Sequence, residues 1–303
     1  MQHSFRIVSM PMGRWLLSLL ILFVAATLLI SGCGSTTDTS QNGAGGSQDA
    51  QGTPGGSTST PAQKVLTVGI WSSPGNFSPI NSDSSYGYYI VDLVFDTLVS
   101  MDQELQFHPR LADSWDIAPD GQHFTFHLNP NAKWHDGQPV TADDVAFTIA
   151  TIANPKTETN RGSNILMIQG LDDNGKSADG NIPGVKVVDP HTIEITTKTP
   201  MDVSALLEKL GHNLFIIPQH LLKDVAPEDL SKTDVLVSKP LGSGPFKFVQ
   251  YATDQYIELG ANADYHVAKP KLDKLIVRIT SPQAMVASLE KGEIDMTAHR
   301  RPG

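Results

Sequence analysis

The chain has 303 residues, with 22 lysines and arginines against 32 aspartates and glutamates and a formal net charge of −10. An acidic balance, with no basic run interleaved with aromatics, excludes nucleic acid and anionic lipid as partners. Cys33 is the only cysteine, so if it is used elsewhere the rest of the chain has no disulfide, thiol nucleophile or thiolate metal ligand.

Arg6 and Arg14 precede an apolar run from Trp15 to Ile30, which ends on Ile30-Ser31-Gly32-Cys33. A basic start, a short apolar stretch and small residues before a cut describe an export signal over residues 1–33. The run falls short of the roughly 20 apolar residues of a membrane span, which makes an uncut anchor the weaker alternative. Ile-Ser-Gly-Cys resembles the lipobox of bacterial lipoproteins, which implies that Cys33 becomes the N-terminus and carries a diacylglyceryl group. Residues 34–64 are Gly, Ser, Thr, Gln and Asn with almost no large apolar side chain, a composition that predicts a disordered tether. Its reach is roughly 30 Å. The body is therefore expected outside the cytoplasm, lipid-anchored to the cell membrane.

"VLTVGIW" from Val65 alternates and is β-branched, which predicts a strand, and "SSPGNFSP" breaks it into a loop. "YYIVDLVFDTLVS" from Tyr88 sets Ile90, Leu93, Val94 and Leu98 at helical spacing. "GQHFTFHL" puts Phe124, Phe126 and Leu128 on one strand face and His123, Thr125 and His127 on the other. Thr141 and Asp144 form a near capping box for a helix lined by Ala142, Val145, Ala146, Ile149 and Ile152, which Asn154-Pro155 stops. "GVKVVDPHTIEITTKTP" predicts a hairpin around Asp189-Pro190, and "ALLEKLGHNLFIIPQHLL" a helix, a stop at Gly211 and a buried strand. "FKFVQY" and "LDKLIVRI" are further strands; Ser281-Pro282 caps a short helix that ends on Gly292 before a strand at "EIDM".

The residues that look like chemistry have structural explanations. His123 and His127 lie about 13 Å apart on a strand, at about 3.3 Å per residue, too far to share one ion. Asp143 and Asp144 are adjacent, so their side chains diverge by about 100° on a helix and cannot face each other as acid and base. "LDDNGKSADGN" lacks the glycine at the sixth position and the glutamate at the twelfth of a calcium loop, where Pro183 stands. Ser243 sits in Gly-Ser-Gly with Pro245 following, not in a nucleophile elbow. No metal site, cofactor or catalytic residue is expected, which leaves a membrane-anchored hydrolase as the weaker alternative.

Strung together, "LADSWDIAPDGQHFTFHLNPNAKWHDGQPVTADDV", "PLGSGPFKF", "GANADYH" and "ASLEKGEIDM" resemble the family 5 extracellular solute-binding proteins, the peptide and nickel receptors of ABC importers. The match runs from about Val65 to Thr297. It departs at Ser243 for threonine, His266 for tryptophan and Ser78 for aspartate. The resemblance implies an α/β, periplasmic-binding-protein-like fold, type II, a two-lobed clamp. Residues 65–280 would form its first lobe, with an inserted subdomain over roughly 89–214, and residues 281–303 the start of a crossover. Members of the family are longer, so the second lobe is expected to be absent, which raises the alternative of a non-functional remnant. The resemblance also implies a monomer that captures a peptide or similar solute for ABC permease subunits. It places ligand contacts at Trp71, Ser72, Ser73, Pro74 and Gly75, with Asn164 of "RGSNI" facing the same cleft.

Overall fold

Alternating apolar residues build the strands, and the chain order begins with β1 (Val65–Ile70), α1 (Ser85–Val94), β2 (Val99–Met101) and β3 (Phe107–Pro109). β4 (Ala112–Ile117), β5 (His123–Leu128) and α2 (Ala142–Ala153) follow, then β6 (Val185–Asp189) and β7 (Thr192–Thr196). Single turns α3 (Val203–Leu206), α4 (Gln219–Leu222) and α5 (Asp234–Val237) lead to β8 (Phe246–Ala252) and β9 (Tyr256–Ala261). The last elements are β10 (Lys274–Ile279), α6 (Pro282–Glu290) and β11 (Met296–Thr297). This computed structural model describes residues 63–82 and 84–298. The expected export signal, Cys33 and residues 34–62 of the expected tether lie outside the described residues, while Lys64, expected at the tether's end, already bonds Asp273.

The strands form a five-stranded sheet ordered β11-β1-β10-β9-β8, a four-stranded sheet ordered β4-β5-β7-β6, and a β2-β3 ribbon. β1 runs parallel to both β10 and β11, whereas β9 is antiparallel to its neighbours. The chain thus leaves the first sheet after β1, builds the second, and returns at β8. Ile70, Ile257, Leu259, Leu275 and Val277 bury one face of the first sheet in a core shared with Phe124, Phe126, Ile193 and Ile195 of the second. On β5 the expected parity holds: Phe124 and Phe126 are buried, while His123 is exposed, His127 is half-buried, and the two pair with Asp120 and Asp116. Among the described residues no group of three or more His, Cys, Asp or Glu could hold a metal ion.

The helix ends follow their capping residues. α1 begins at Ser85, three residues before the expected Tyr88, because the Ser84 hydroxyl accepts from the Gly87 N–H. α2 begins after Thr141, whose N–H donates to Asp144 Oδ2 at 2.8 Å. α6 follows Ser281, whose hydroxyl accepts from the Ala284 N–H. The strand expected at "EIDM" starts only at Met296, since Asp295 uses its own N–H and carboxylate on Thr67.

Two expectations need correction. Leu214, Phe215, Ile216 and Ile217 are buried but join no sheet. Their amides are satisfied singly: Ile216 N–H donates to Asp96 O at 2.9 Å and Ile217 N–H to Thr148 Oγ1 at 3.0 Å. Gly211 is also not a stop, since the turn containing it runs on as a π-helix, Leu207–His212.

A buried polar brace ties these parts together. Arg110 Nε bonds Asp96 Oδ1 at 2.5 Å and its Nη1 bonds Asp92 at 2.9 Å. Burial disfavours the Arg110 charge, and Asp96 and Asp92 more than offset it, holding the guanidinium above its usual range. Tyr265 donates to Asp96 Oδ1 at 3.0 Å, and His266 Nε2 meets Arg110 O at 2.8 Å, so His266 has a bonded place in this brace. Asp144 is a second node, at only 4% exposure. Beyond its cap it accepts from Trp134 Nε1 at 3.3 Å and from the Gln219 N–H at 2.9 Å. Asp144 is therefore a tertiary tie and not only the first-turn charge that the sequence suggested.

Candidate functional site

The loop that follows β1 leaves the C-terminal end of that strand and crosses the first turn of α1. Ser72, Ser73 and Gly75 are exposed, Pro74 is buried, and Gly75 takes φ +74°. Beneath it, Phe77 is buried against Phe248 and Tyr251, with ring centroids at 5.5 Å and 5.4 Å. Its N–H donates to Val237 O at 3.2 Å, and Asn76 Oδ1 accepts from the Ser78 N–H at 3.0 Å. The loop also rests directly on α1. A Cβ at Gly87 would lie 2.7 Å from Pro74 O and 2.8 Å from Asn76 O, so only glycine admits that approach. Ser73 Oγ lies 3.0 Å from Tyr251 Oη and accepts from the Gly75 N–H at 3.4 Å.

The loop and α1 enclose a notch of about 250 Å³, lined by Trp71, Ser72, Ser84, Ser85, Tyr86 and Tyr89. Trp71 and Tyr86 meet edge to face, with centroids 5.8 Å apart and planes at 89°. Tyr86 and Tyr89, one helical turn apart, stand at 6.3 Å and 63°. Burial raises the Tyr86 phenol above its ordinary range, although a backbone hydrogen bond from Trp71 acts the other way.

The structure brings Trp71, Ser72, Ser73, Pro74 and Gly75 together on one loop. Asn164 does not line the notch. It ends a short turn, Gly162–Asn164, and its Nδ2 donates to Asn213 O at 2.8 Å. Asn213 Oδ1 in turn accepts from Tyr88 Oη at 3.4 Å, and the Arg161 guanidinium lies 5.5 Å over the Tyr88 ring. The residues not foreseen are Ser84, Ser85, Tyr86 and Tyr89 in the notch and Tyr251 beneath Ser73. The one signal for the notch residues was the tyrosine-rich "SSYGYYI".

The stretch that most resembles a reactive cluster has its polar atoms engaged. His135 Nε2 donates to Gly244 O at 3.0 Å, and Nδ1 accepts from the Gly242 N–H at 3.4 Å. Burial pushes the imidazole down to about 4, so it is neutral at physiological pH. Asp136 pairs with His220 at 2.9 Å. Gly242 itself lies so close to α1 that a Cβ there would stand 1.9 Å from Val94 O. Ser243 is fully buried, with no hydrogen-bond partner for its hydroxyl among the described residues. His135, which bonds this turn from a distant part of the chain, has both nitrogens engaged by backbone. A serine nucleophile would need a free base at that place.

Comparison with known proteins points to a family of binding proteins. Residues 106–303 match the profile of bacterial extracellular solute-binding proteins, family 5. A Brucella ovis protein named as a peptide-binding protein of an ABC transporter is 35% identical over 232 residues, which is 76% of this chain and 40% of that protein. The oligopeptide-binding protein AppA of Bacillus subtilis is 29% identical over 76% of this chain and 40% of its own length. Its crystal structure with a nonapeptide superposes with a TM-score of 0.68 at 28% identity, covering 78% of this chain and 44% of that one. NikZ of Campylobacter jejuni, solved in complex with Ni(L-His), gives a TM-score of 0.64 at 29% identity, over 77% of this chain and 43% of that one. The fold is thus α/β and periplasmic-binding-protein-like, and the chain spans about 40% of the length of these curated relatives.

Proposed function

The chain belongs to the bacterial extracellular solute-binding proteins, family 5, and on that premise we propose that it captures a small solute, a peptide foremost, for the permease subunits of an ABC importer. The family is one of binding proteins rather than enzymes. The observation that carries the reading is the exposed Ser72-Ser73 edge of the loop after β1, held rigid by Phe77 below and Gly87 behind. Rigid backbone and small hydroxyls can pair with the main chain of an extended ligand whatever its side chains. On this reading Trp71, Ser72, Ser73 and Gly75 make that contact, the buried Pro74 supports them from within the loop, and Asn164 faces the same cleft at its flank. Residues 65–280 act as one lobe with an insertion over roughly 89–214, and residues 281–303 begin a crossover.

The same reading places the protein outside the cytoplasm as a monomer, tethered by a lipid on Cys33 through residues 34–64. Lipid chains embed at about 0.8 kcal/mol per buried CH₂, so two or more hold firmly. Cys33→Ala should release the protein from membranes, and a variant that still partitions into detergent like the parent would refute the anchor. For the binding role, calorimetry against a mixed peptide library, taken to millimolar concentration, should give saturable heat. Ser73→Trp, which fills the exposed edge of the loop, should abolish it. A parent protein that gives no heat at any peptide concentration sinks the receptor reading.

A further inference from the structure

We propose that the notch bounded by Trp71 and Tyr89 is a subsite for one aromatic side chain of the ligand; the inference rests on the peptide-capture reading and specifies what that site selects. At about 250 Å³ the notch is too small for a whole ligand, since ligand pockets run to about 300–1,000 Å³. It is the size of one large side chain. Trp71 and Tyr89 are 39% and 41% exposed, while Tyr86 between them is 9% exposed. Two partly exposed rings therefore flank a buried one.

The ring geometry favours a third ring. Aromatic pairs prefer edge-to-face or offset contacts with centroids about 4.5–7 Å apart. Trp71 and Tyr86 already stand perpendicular at 5.8 Å, and Tyr89 is turned by 63° from Tyr86. That corner offers a ring face and a ring edge to whatever enters, and a planar ring can use both at once. An aliphatic side chain gains only the burial.

The polar lining points the same way. None of the six lining side chains carries a charge at neutral pH. Their polarity comes from serine and tyrosine hydroxyls and the first turn of α1. A lysine, arginine or glutamate side chain entering the notch would lose water without gaining a counter-charge from these residues, which is costly. The positive pole of α1 further disfavours a cation and supplies a carboxylate with only a partial counter-charge. The subsite thus selects phenylalanine, tyrosine or tryptophan over charged and aliphatic residues.

The test titrates Gly-Phe-Gly-Gly, Gly-Leu-Gly-Gly, Gly-Lys-Gly-Gly and Gly-Glu-Gly-Gly into the full chain by calorimetry. In parallel, ¹⁹F NMR of 5-fluorotryptophan-labelled protein follows Trp71, whose resonance Trp71→Phe identifies. The phenylalanine peptide should bind about tenfold more tightly than the other three and should shift the Trp71 resonance. Tyr89→Ala should erase that preference while leaving weak binding of all four peptides, and Tyr89→Phe should keep it. Equal affinity for the four peptides overturns the subsite and leaves the receptor reading standing. So does a preference for lysine, a phenylalanine preference that survives Tyr89→Ala, or tight binding that leaves Trp71 unmoved. Binding of none of the four by the parent at millimolar concentration overturns both.

Discussion

Residues 110–144 hold an arginine, histidines and aspartates in close succession, whereas the loop from Trp71 to Gly75 is tryptophan, serine, proline and glycine. In the first region three groups that look reactive are at least half-buried and fully engaged: Arg110 on Asp96 and Asp92, His135 on the Gly242–Gly244 turn, Asp144 on Thr141, Trp134 and Gln219. In the second the groups are bland but exposed, and the backbone that carries them is immobilised from beneath. A polar side chain buried with partners has little left to offer a ligand, and breaking it costs stability. An exposed hydroxyl on a fixed loop costs the fold little and can change partners. Chemical richness along the sequence marks the frame, and the poorer stretch is the surface proposed to meet a ligand.

The sharpest way to break this contrast is Arg110→Met. It leaves Asp96, which is fully buried, without its counter-ion and should destabilise the protein by about 3–5 kcal/mol in urea unfolding. Adding Asp96→Asn should recover part of that loss, and a single variant within about 0.5 kcal/mol of the parent would remove Arg110 from the frame. Asp144→Ala is next. It orphans the Thr141 and Gln219 amides and the Trp134 indole, and about 3 kcal/mol is expected at about 1–3 kcal/mol per buried unsatisfied group. Asp143→Ala, on the exposed neighbour, should stay within about 0.5–1 kcal/mol, the scale of a helix-terminus charge.

His135 sharpens the contrast through pH. Its folded pKa lies near 4, below the ordinary 6.5, because burial disfavours the imidazolium. Below about 6.5 the unfolded chain binds a proton that the folded chain refuses until about 4. The His135 contribution is thus complete above the unfolded value and shrinks by about 1.4 kcal/mol per pH unit as pH falls through that window. Subtracting the stability profile of His135→Gln from that of the parent should isolate this slope, and identical profiles would contradict it. The smallest effect on the fold is expected from Ser72→Ala, within about 0.5 kcal/mol by urea unfolding. A larger loss would place this serine in the frame rather than at the binding edge.

Much of the frame was legible because it is local. Phe124, Phe126 and Leu128 announce their face by parity, and Thr141 with Asp144 and Ser281 with Pro282 announce helix starts by capping chemistry. The buried run Leu214–Ile217 misled because an apolar stretch has the same pattern whether a neighbouring strand or scattered acceptors satisfy its amides. Here the acceptors are Asp96 O and Thr148 Oγ1, far away in sequence. The site was legible only where family resemblance pointed to the loop after β1. Tyr86 was missed because the helix was expected to begin at Tyr88, and Tyr89 because the tyrosine one turn before it was not yet placed on the helix. Once the Ser84 cap moves its start back to Ser85, both tyrosines fall on the helix face that meets Trp71.

The pairing of β1 with β10 sets the order in which this chain can fold. The hydrogen bond from Lys64 to Asp273, at the foot of that pairing, spans 209 positions. The β4-β5 and β6-β7 hairpins instead join close neighbours along the chain. Contacts of high sequence separation form late, because loop-closure entropy must be met before they contribute. β1 emerges first from any vectorial process such as export and must wait, unpaired, until β10 follows. Pulsed hydrogen exchange during refolding should protect β4–β7 amides before those of Val65–Ile70, and simultaneous protection would show that the two sheets assemble as one unit. The first strand to appear is thus the last to find its neighbours, and in the interval it is the part of the chain most open to pairing with another molecule.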